Sequence, residues 1–508
     1  MRRRLAVVVA AVTAGPLFLS SAHAQDAATA AQLQTLKEQV QQLQKQIDQM
    51  QQQQSHPPAA QTAVAATATP PVVVEKKGSP ALHAGPVTLT FGGFMELGTI
   101  YRNRNETADM GSNWNTAIPY PNSSNYGLDE FRMSARQSRL SLLAQGPESG
   151  SNRAEGYLEF DFLGAAPTAN SNESNSYTPR LRHVYGLYTR SDVGFSLLAG
   201  QTWSMATMFK SGLKVRSEAI PLTIDAQYVP GFNWTRDPQI RLVERFNDVV
   251  SAGLSFESPQ ALIFNGPNPL PPGTVFNNPG GSLYYSGQNY SLDPAPDIIG
   301  KVAIDPGFGH YEVYGMVRWF RDQVAGHNDT QNGEGVGAGM ILPLVHDVLD
   351  FRASGLFGNG IGRYGSAQLP DVTLKPDGHF ATIRGYHVLA GLEAHPAPAW
   401  TAYLYFGEEH ADSQAYTDAG GLGYGYGSPL YDNSGCETLG GKCAANTKSI
   451  MQGTGGVWWK YYQGEIGNLQ MGLQYSYTKR EIFPGVGGDP DTNISVAMFS
   501  LRYYPYQR

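Results

Sequence analysis

From Val87 to Arg508 the chain repeats one unit: a short segment of alternating polar and apolar residues, ended by a tight turn or a long polar loop. No stretch here is apolar enough for a membrane helix, which needs about 20 consecutive apolar residues. In lipid every backbone polar group must find its partner within the protein, so a spanning chain without helices has to close its sheet. The repeat reads as a transmembrane β-barrel, with a secreted all-β protein as the alternative. Composition alone does not separate them: 28 Tyr and 58 Gly suit barrel girdles and turns but also other β-folds.

The N-terminus and the loops do separate them. Arg2, Arg3 and Arg4, the apolar run Leu5 to Phe18 and the small-residue site Ala22-His23-Ala24 form a signal peptide over residues 1–24. Its removal takes the formal charge from −7 to −10, an acidic balance that argues against nucleic acid as a partner. Cys436 and Cys443 lie close together in one Gly-rich stretch, and in an exported protein they are expected to form a local disulfide.

Residues 25–54 carry Leu33, Leu36, Val40, Leu43, Ile47 and Met50 at alternating steps of three and four. This is the a/d seam of a short coiled coil, which cannot bury its apolar stripe alone and is expected to assemble subunits. The seam does not decide dimer against trimer. Residues 55–86 are Pro-, Ala- and Thr-rich and read as an extended linker. The barrel is expected over 87–508.

Sixteen strands are expected, beginning near Val87, Arg132, Ala154, Arg180, Phe195, Gln239, Val249, Asp297, Tyr311, Gly335, Leu349, Arg384, Trp400, Val457, Leu469 and Ile494. Short turns such as Asn247-Asp248 and Pro396-Ala397-Pro398 alternate with long polar loops, the asymmetry of an outer-membrane barrel. An even count places both ends in the periplasm. On the third strand Ala154, Gly156, Leu158, Phe160 and Phe162 share one face, and Glu155, Tyr157, Glu159 and Asp161 the other. On the ninth, Val313 and Val317 oppose Glu312, Tyr314, Met316, Arg318 and Phe320. Lipid outside and water inside explains both. Tyr504 and Tyr506 keep the alternate-aromatic spacing of a last barrel strand, although Gln507 and Arg508 follow.

By the same parity Arg139, Arg180, Arg182 and Arg241 face the lumen. Arg132 and Arg136 have the opposite parity unless a bulge intervenes. The third long loop, Ala206 to Pro238, is the expected constriction and carries Lys210, Lys214 and Arg216 against Glu218, Asp225 and Asp237. The expected pore lining is thus Arg136, Arg139, Arg180, Arg182, Arg241, Lys214 and Arg216, with Glu155, Glu159 and Asp161 as lumen acids. Basic rings select anions, and guanidinium grips a carboxylate with two parallel bonds. The opposing possibility is that the three acids neutralise the arginines and leave little free field.

Several segments resemble one family in their order along the chain. These are Arg136-Gln137-Ser138-Arg139-Leu140, Leu197 to Ser204 (LLAGQTWS), Gly358 to Tyr364 (GNGIGRY), Gln470 to Arg480 (QMGLQYSYTKR) and Arg502-Tyr503-Tyr504-Pro505. With the Gln-rich heptads before the barrel, they resemble the DcaP-like trimeric outer-membrane porins. The resemblance implies a sixteen-stranded homotrimer in the outer membrane of a Gram-negative bacterium, taking up small anionic solutes, dicarboxylates among them. The alternative is a structural tether, with the barrel as anchor and the coiled coil reaching the cell wall.

No enzyme is expected. Gly333 to Gly339 and Gly358 to Gly362 do not give G-x-G-x-x-G between strand and helix, and read as thin wall and loop base. Neither G-x-S-x-G nor H-E-x-x-H occurs. No cofactor or resident metal is expected. Asp489, Asp491 and Asn493 alternate like calcium ligands but lack a bidentate Glu, and read as a solvated turn.

Overall fold

The computed structural model describes residues 81–164, 177–279 and 289–506, with residue 45. The expected signal peptide, the coiled coil apart from residue 45, and the linker up to residue 80 lie outside the described residues.

One antiparallel ladder forms the wall. Its strands are β1 (Val87–Arg102), β2 (Glu130–Ser134 continued by Arg139–Gln145), β3 (Asn152–Asp161), β4 (Arg180–Arg190), β5 (Phe195–Trp203), β6 (Arg236–Arg245), β7 (Val250–Glu257) and β8 (Asp297–Ile304). The second half comprises β9 (His310–Val324), β10 (His327–Val345), β11 (Leu349–Asn359), β12 (Arg384–Ala397), β13 (Trp400–Ala411), β14 (Thr447–Gly464), β15 (Gly467–Ile482) and β16 (Thr492–Tyr504). Each strand pairs with the next, and β16 returns to β1 from Met95↔Tyr503 to Arg102↔Val496. The sheet is therefore a closed sixteen-stranded barrel with no free edge.

The alternation in the sequence becomes two faces. Val313 and Val317 of β9 are 51% and 42% exposed on the outside, while Arg318 and Phe320 are fully enclosed. A girdle of exposed aromatics marks the short-turn side, where Trp400 and Trp459 stack at 5.4 Å between ring centres.

Three local features depart from the expectation. The tenth strand starts at His327 rather than near Gly335, because no long loop follows β9. Ala325 and Gly326, at φ 49° and 85°, make a two-residue hairpin, and both strands run up to it. Likewise β14 begins at Thr447 rather than near Val457. On β2, Ser134 faces Gly98 and Arg139 faces Phe94, so five steps oppose four. This bulge reverses side-chain parity between the two halves of the strand.

The wall is uneven. Strands β3 to β8 have 8–11 residues, whereas β9, β10, β14 and β15 have 15–19. The lumen is also not simply polar. L1 (103–129), L3 (204–235) and L6 (360–383) fold inward and share an apolar core that includes Met110, Trp114, Ile118, Ile224, Val229, Phe232 and Leu369. L7 (412–446) contains the Cys436–Cys443 disulfide.

L3 is pinned to the wall all round. Met205 N–H donates to Glu257 of β7 (2.7 Å), Phe209 N–H to Glu312 of β9 (3.1 Å) and Gly231 N–H to Glu409 of β13 (2.7 Å). Lys301 of β8 donates to Thr207 O (2.9 Å), Trp458 of β14 to Leu222 O (2.7 Å), and Ile224 N–H to Gln474 of β15 (2.5 Å). A net hydrogen bond contributes about 0.5–1.5 kcal/mol, and losing a buried partner costs more, so the loop is a fixed insert. The closest approach is at Gly407 of β13, where a Cβ would lie 1.8 Å from Pro230 O.

Replacing Gly407 by Val should push L3 off the wall at a cost of about 1–3 kcal/mol. The temperature at which the barrel loses its compact migration on semi-native gels should fall relative to wild type. An unchanged transition would mean that the loop does not contribute to barrel stability through this contact.

Candidate functional site

Because L3 enters from β5 and crosses to β13–β15, it divides the lumen and leaves a cavity of about 560 Å³ in the middle. One side of this cavity is built by β2, β3 and β4, which supply Arg139, Glu159, Asp161 and Arg182. Strands β14 and β16 continue the same stretch of wall past β1 and supply Lys460, Trp458 and Arg502, and L3 brings Lys210 and Arg216 from within the lumen.

The arginines and acids interlock. Arg182 reaches Glu159 at 2.6 Å and Asp161 at 3.0 Å. Arg180 holds Asp161 with two bonds of 3.0 and 2.7 Å. Arg139 lies 3.5 Å from Glu159, and Arg216 pairs with Glu155 at 2.7 Å. Arg216 also donates to the Tyr185 hydroxyl (2.9 Å) and sits at φ 65°, a left-handed conformation that costs a non-glycine residue on the order of 1 kcal/mol. A second cavity of about 380 Å³ lies toward the short turns, lined by Glu155, Lys214, Arg216 and Arg241. Arg216 thus borders both spaces.

The expected lining residues divide accordingly. Arg139, Arg182 and Arg216 gather around the central cavity with Glu159 and Asp161. Arg180 holds Asp161 in place without lining that cavity. Lys214 belongs to the lower cavity. Arg241 faces inward but is 1% exposed, donates to Gln239 (2.9 Å) and to Trp203 O, and lies near the Phe209 ring beneath L3. Arg136 occupies the β2 bulge, where it pairs with Asp109 (2.7 Å) and donates to Phe162 O and Gly164 O. Arg132 is half exposed beside Glu130. On L3 itself, burial pushes the carboxyls of Glu218 and Asp225 above the usual carboxylate range.

Lys460, Arg502 and His395 also line the central cavity and were not among the expected residues. Strand parity carried the signal for two of them. Lys460 shares the parity of inward Trp458, and Arg502 alternates with outward Leu501. Arg502 pairs with Glu96 at 3.1 Å and lies over the Phe94 and Trp458 rings.

Asp322, Asp329 and His379 are grouped closely enough to hold a cation among the described residues. Asp322 is already engaged, accepting Phe380 N–H at 2.7 Å and facing His379 Nδ1 at 2.8 Å. Asp491 pairs with Lys479 at 2.9 Å and the Asn493 side chain accepts from Arg104 at 3.2 Å, so these residues are tied into loop and strand contacts.

No protein-family model matches the chain, and no curated protein matches it in sequence. Among solved structures, the outer membrane channel DcaP of Acinetobacter baumannii is similar. It is 18% identical, with 82% of this chain and 97% of that chain covered and a TM-score of 0.59. An anion-selective porin from Comamonas acidovorans is 11% identical over 82% and 99% of the two chains, with a TM-score of 0.47. This chain is folded as a porin-type outer-membrane β-barrel, the fold of the DcaP channel.

Proposed function

We propose that the protein is an outer-membrane porin through which small anionic solutes, dicarboxylates among them, diffuse into the periplasm. The carrying observation is the central cavity itself, where Arg139, Arg182, Arg216, Lys210, Lys460 and Arg502 stand around one space narrowed by a pinned loop. Guanidinium and ammonium groups on the wall and on the inserted loop lower the entry barrier for an anion, and two carboxylates can meet two such groups at once. Each of the four arginines is shared with a protein acid, which keeps its contact weak enough for release. The short turns and both chain ends are assigned to the periplasm, where the heptads of residues 25–54 would join three copies. No catalytic role is assigned to the protein.

In a planar bilayer under a salt gradient, the reversal potential should report anion preference. A dicarboxylate should block chloride current at lower concentration than a monocarboxylate of the same length. Current without ion preference would end the anion reading, and absence of any channel would leave only the tether.

Replacing Arg180 and Arg182 together with Ala should shift selectivity toward cations, because Asp161 loses both of its arginine partners and Glu159 loses one of two. The shift should be larger at 0.01 M salt, where the screening length is roughly 30 Å, than at 1 M, where it is about 3 Å. A wild-type reversal potential at low salt would show these arginines to be wall structure only.

Native mass spectrometry of the full-length protein in mild detergent should give a trimer. Deleting residues 25–54 should weaken assembly and leave the barrel folded, since the heptads add to barrel–barrel contacts rather than replace them. A full-length monomer would contradict this.

A further inference from the structure

The charges around the central cavity are not equivalent. Every arginine there is committed: Arg139 and Arg182 to Glu159, Arg182 also to Asp161, Arg216 to Glu155 and Arg502 to Glu96. An ion pair presents a dipole to the lumen, and its field falls away faster than that of a single charge. A passing anion must also compete with the carboxylate already in place.

Lys210 on L3 and Lys460 on β14 differ. Both line the same cavity. Among the described residues, no carboxylate lies within 4.0 Å of either ammonium. Lys210 shares the field of Glu393, but that carboxylate is bound by Arg352 at 2.6 Å and by the Tyr405 hydroxyl at 2.5 Å. Lys460 stands opposite neutral Gln470 on β15. The other cationic candidate on that wall, His395, shares a hydrogen bond with the Thr401 hydroxyl at 3.1 Å. The two ammonium groups are thus charges that no protein acid answers at contact distance.

We infer that Lys210 and Lys460, rather than the arginine cluster, determine the ion selectivity of the pore. The arginine–acid lattice of β2–β4 sets the shape and polarity of one wall. The lysines supply the surplus positive charge and offer a carboxylate its first uncontested partners, one from the loop and one from the wall. Lysine suits the task, because a flexible stem with three rotatable donors can follow a moving solute, whereas a forked guanidinium holds a fixed partner. This inference rests on the reading of the lumen as an anion-conducting path.

The test uses the full-length protein in planar bilayers at low salt, with chloride and potassium as the probe ions. In K210Q/K460Q the chloride-to-potassium permeability ratio should fall at least threefold toward unity. K210R/K460R should retain the wild-type preference, and K442Q, on the exposed surface of L7, should leave it unchanged. Heat-dependent migration on gels should confirm that all variants fold. A wild-type ratio in K210Q/K460Q overturns the inference and returns selectivity to the arginines. Loss of preference in K442Q also overturns it, because overall charge would then be the cause. A wild type without ion preference defeats the underlying reading instead, and is recognised before any variant is made.

Discussion

Everything in this molecule depends on the closure of its hydrogen-bond ladder. A backbone amide left unpaired in hydrocarbon costs several kcal/mol, so the sheet cannot end. Once β1 meets β16, each strand has two fixed neighbours and two fixed faces. Inward side chains then have nowhere else to go. That is why acids and arginines on β2, β3 and β4 end up within bonding distance although they come from different segments. Their pairing is the response of charged groups to confinement. Breaking one partner is costly because it leaves the other buried and uncompensated.

The inserted loop extends the same logic. L3 has no sheet of its own, yet its backbone groups are met by side chains from strands on most sides of the barrel. Glycines at Gly231 and Gly407 allow backbone to touch backbone there. The loop can then hold Arg216 in an unfavourable conformation between two cavities, since its surroundings over-determine that position. A loosely attached loop would relax that residue and open the passage.

Much of the wall was legible in the sequence, because its signal is periodic and local. The parity of Val313 against Arg318, or of Leu158 against Glu159, follows from a two-residue repeat that lipid and lumen both enforce. The hairpin at Ala325-Gly326 was missed because the following Asn, Asp and Gly residues look like loop while serving as strand above the neighbouring wall. The β2 bulge could be posed as a condition, not placed, since one extra residue leaves no composition signal. The inward folding of L1, L3 and L6 depends on contacts between residues hundreds of positions apart, which no window of sequence contains. For the same reason the clustered arginines stood out in the sequence, while Lys460, twelve residues from the other lysine of its strand, did not.

The uneven height of the wall has a geometric consequence. β8 last pairs with β9 at Ile298↔Val317, and β11 with β10 at Asn359↔Glu334, so the hairpin between them rises above both wall neighbours and is met near its tip by Thr274 and Val275. A tilted strand of ten residues roughly spans an apolar belt about 25 Å tall, which is all that β3 to β8 provide. The 19-residue β10 stands higher by on the order of 20 Å at a tilt of about 45°. The wall is therefore a sloping collar, low along β3 to β8 and high at the β9–β10 hairpin. The ladder that closes the barrel thus also gives its rim a front and a back, a direction built into the wall by strand length alone.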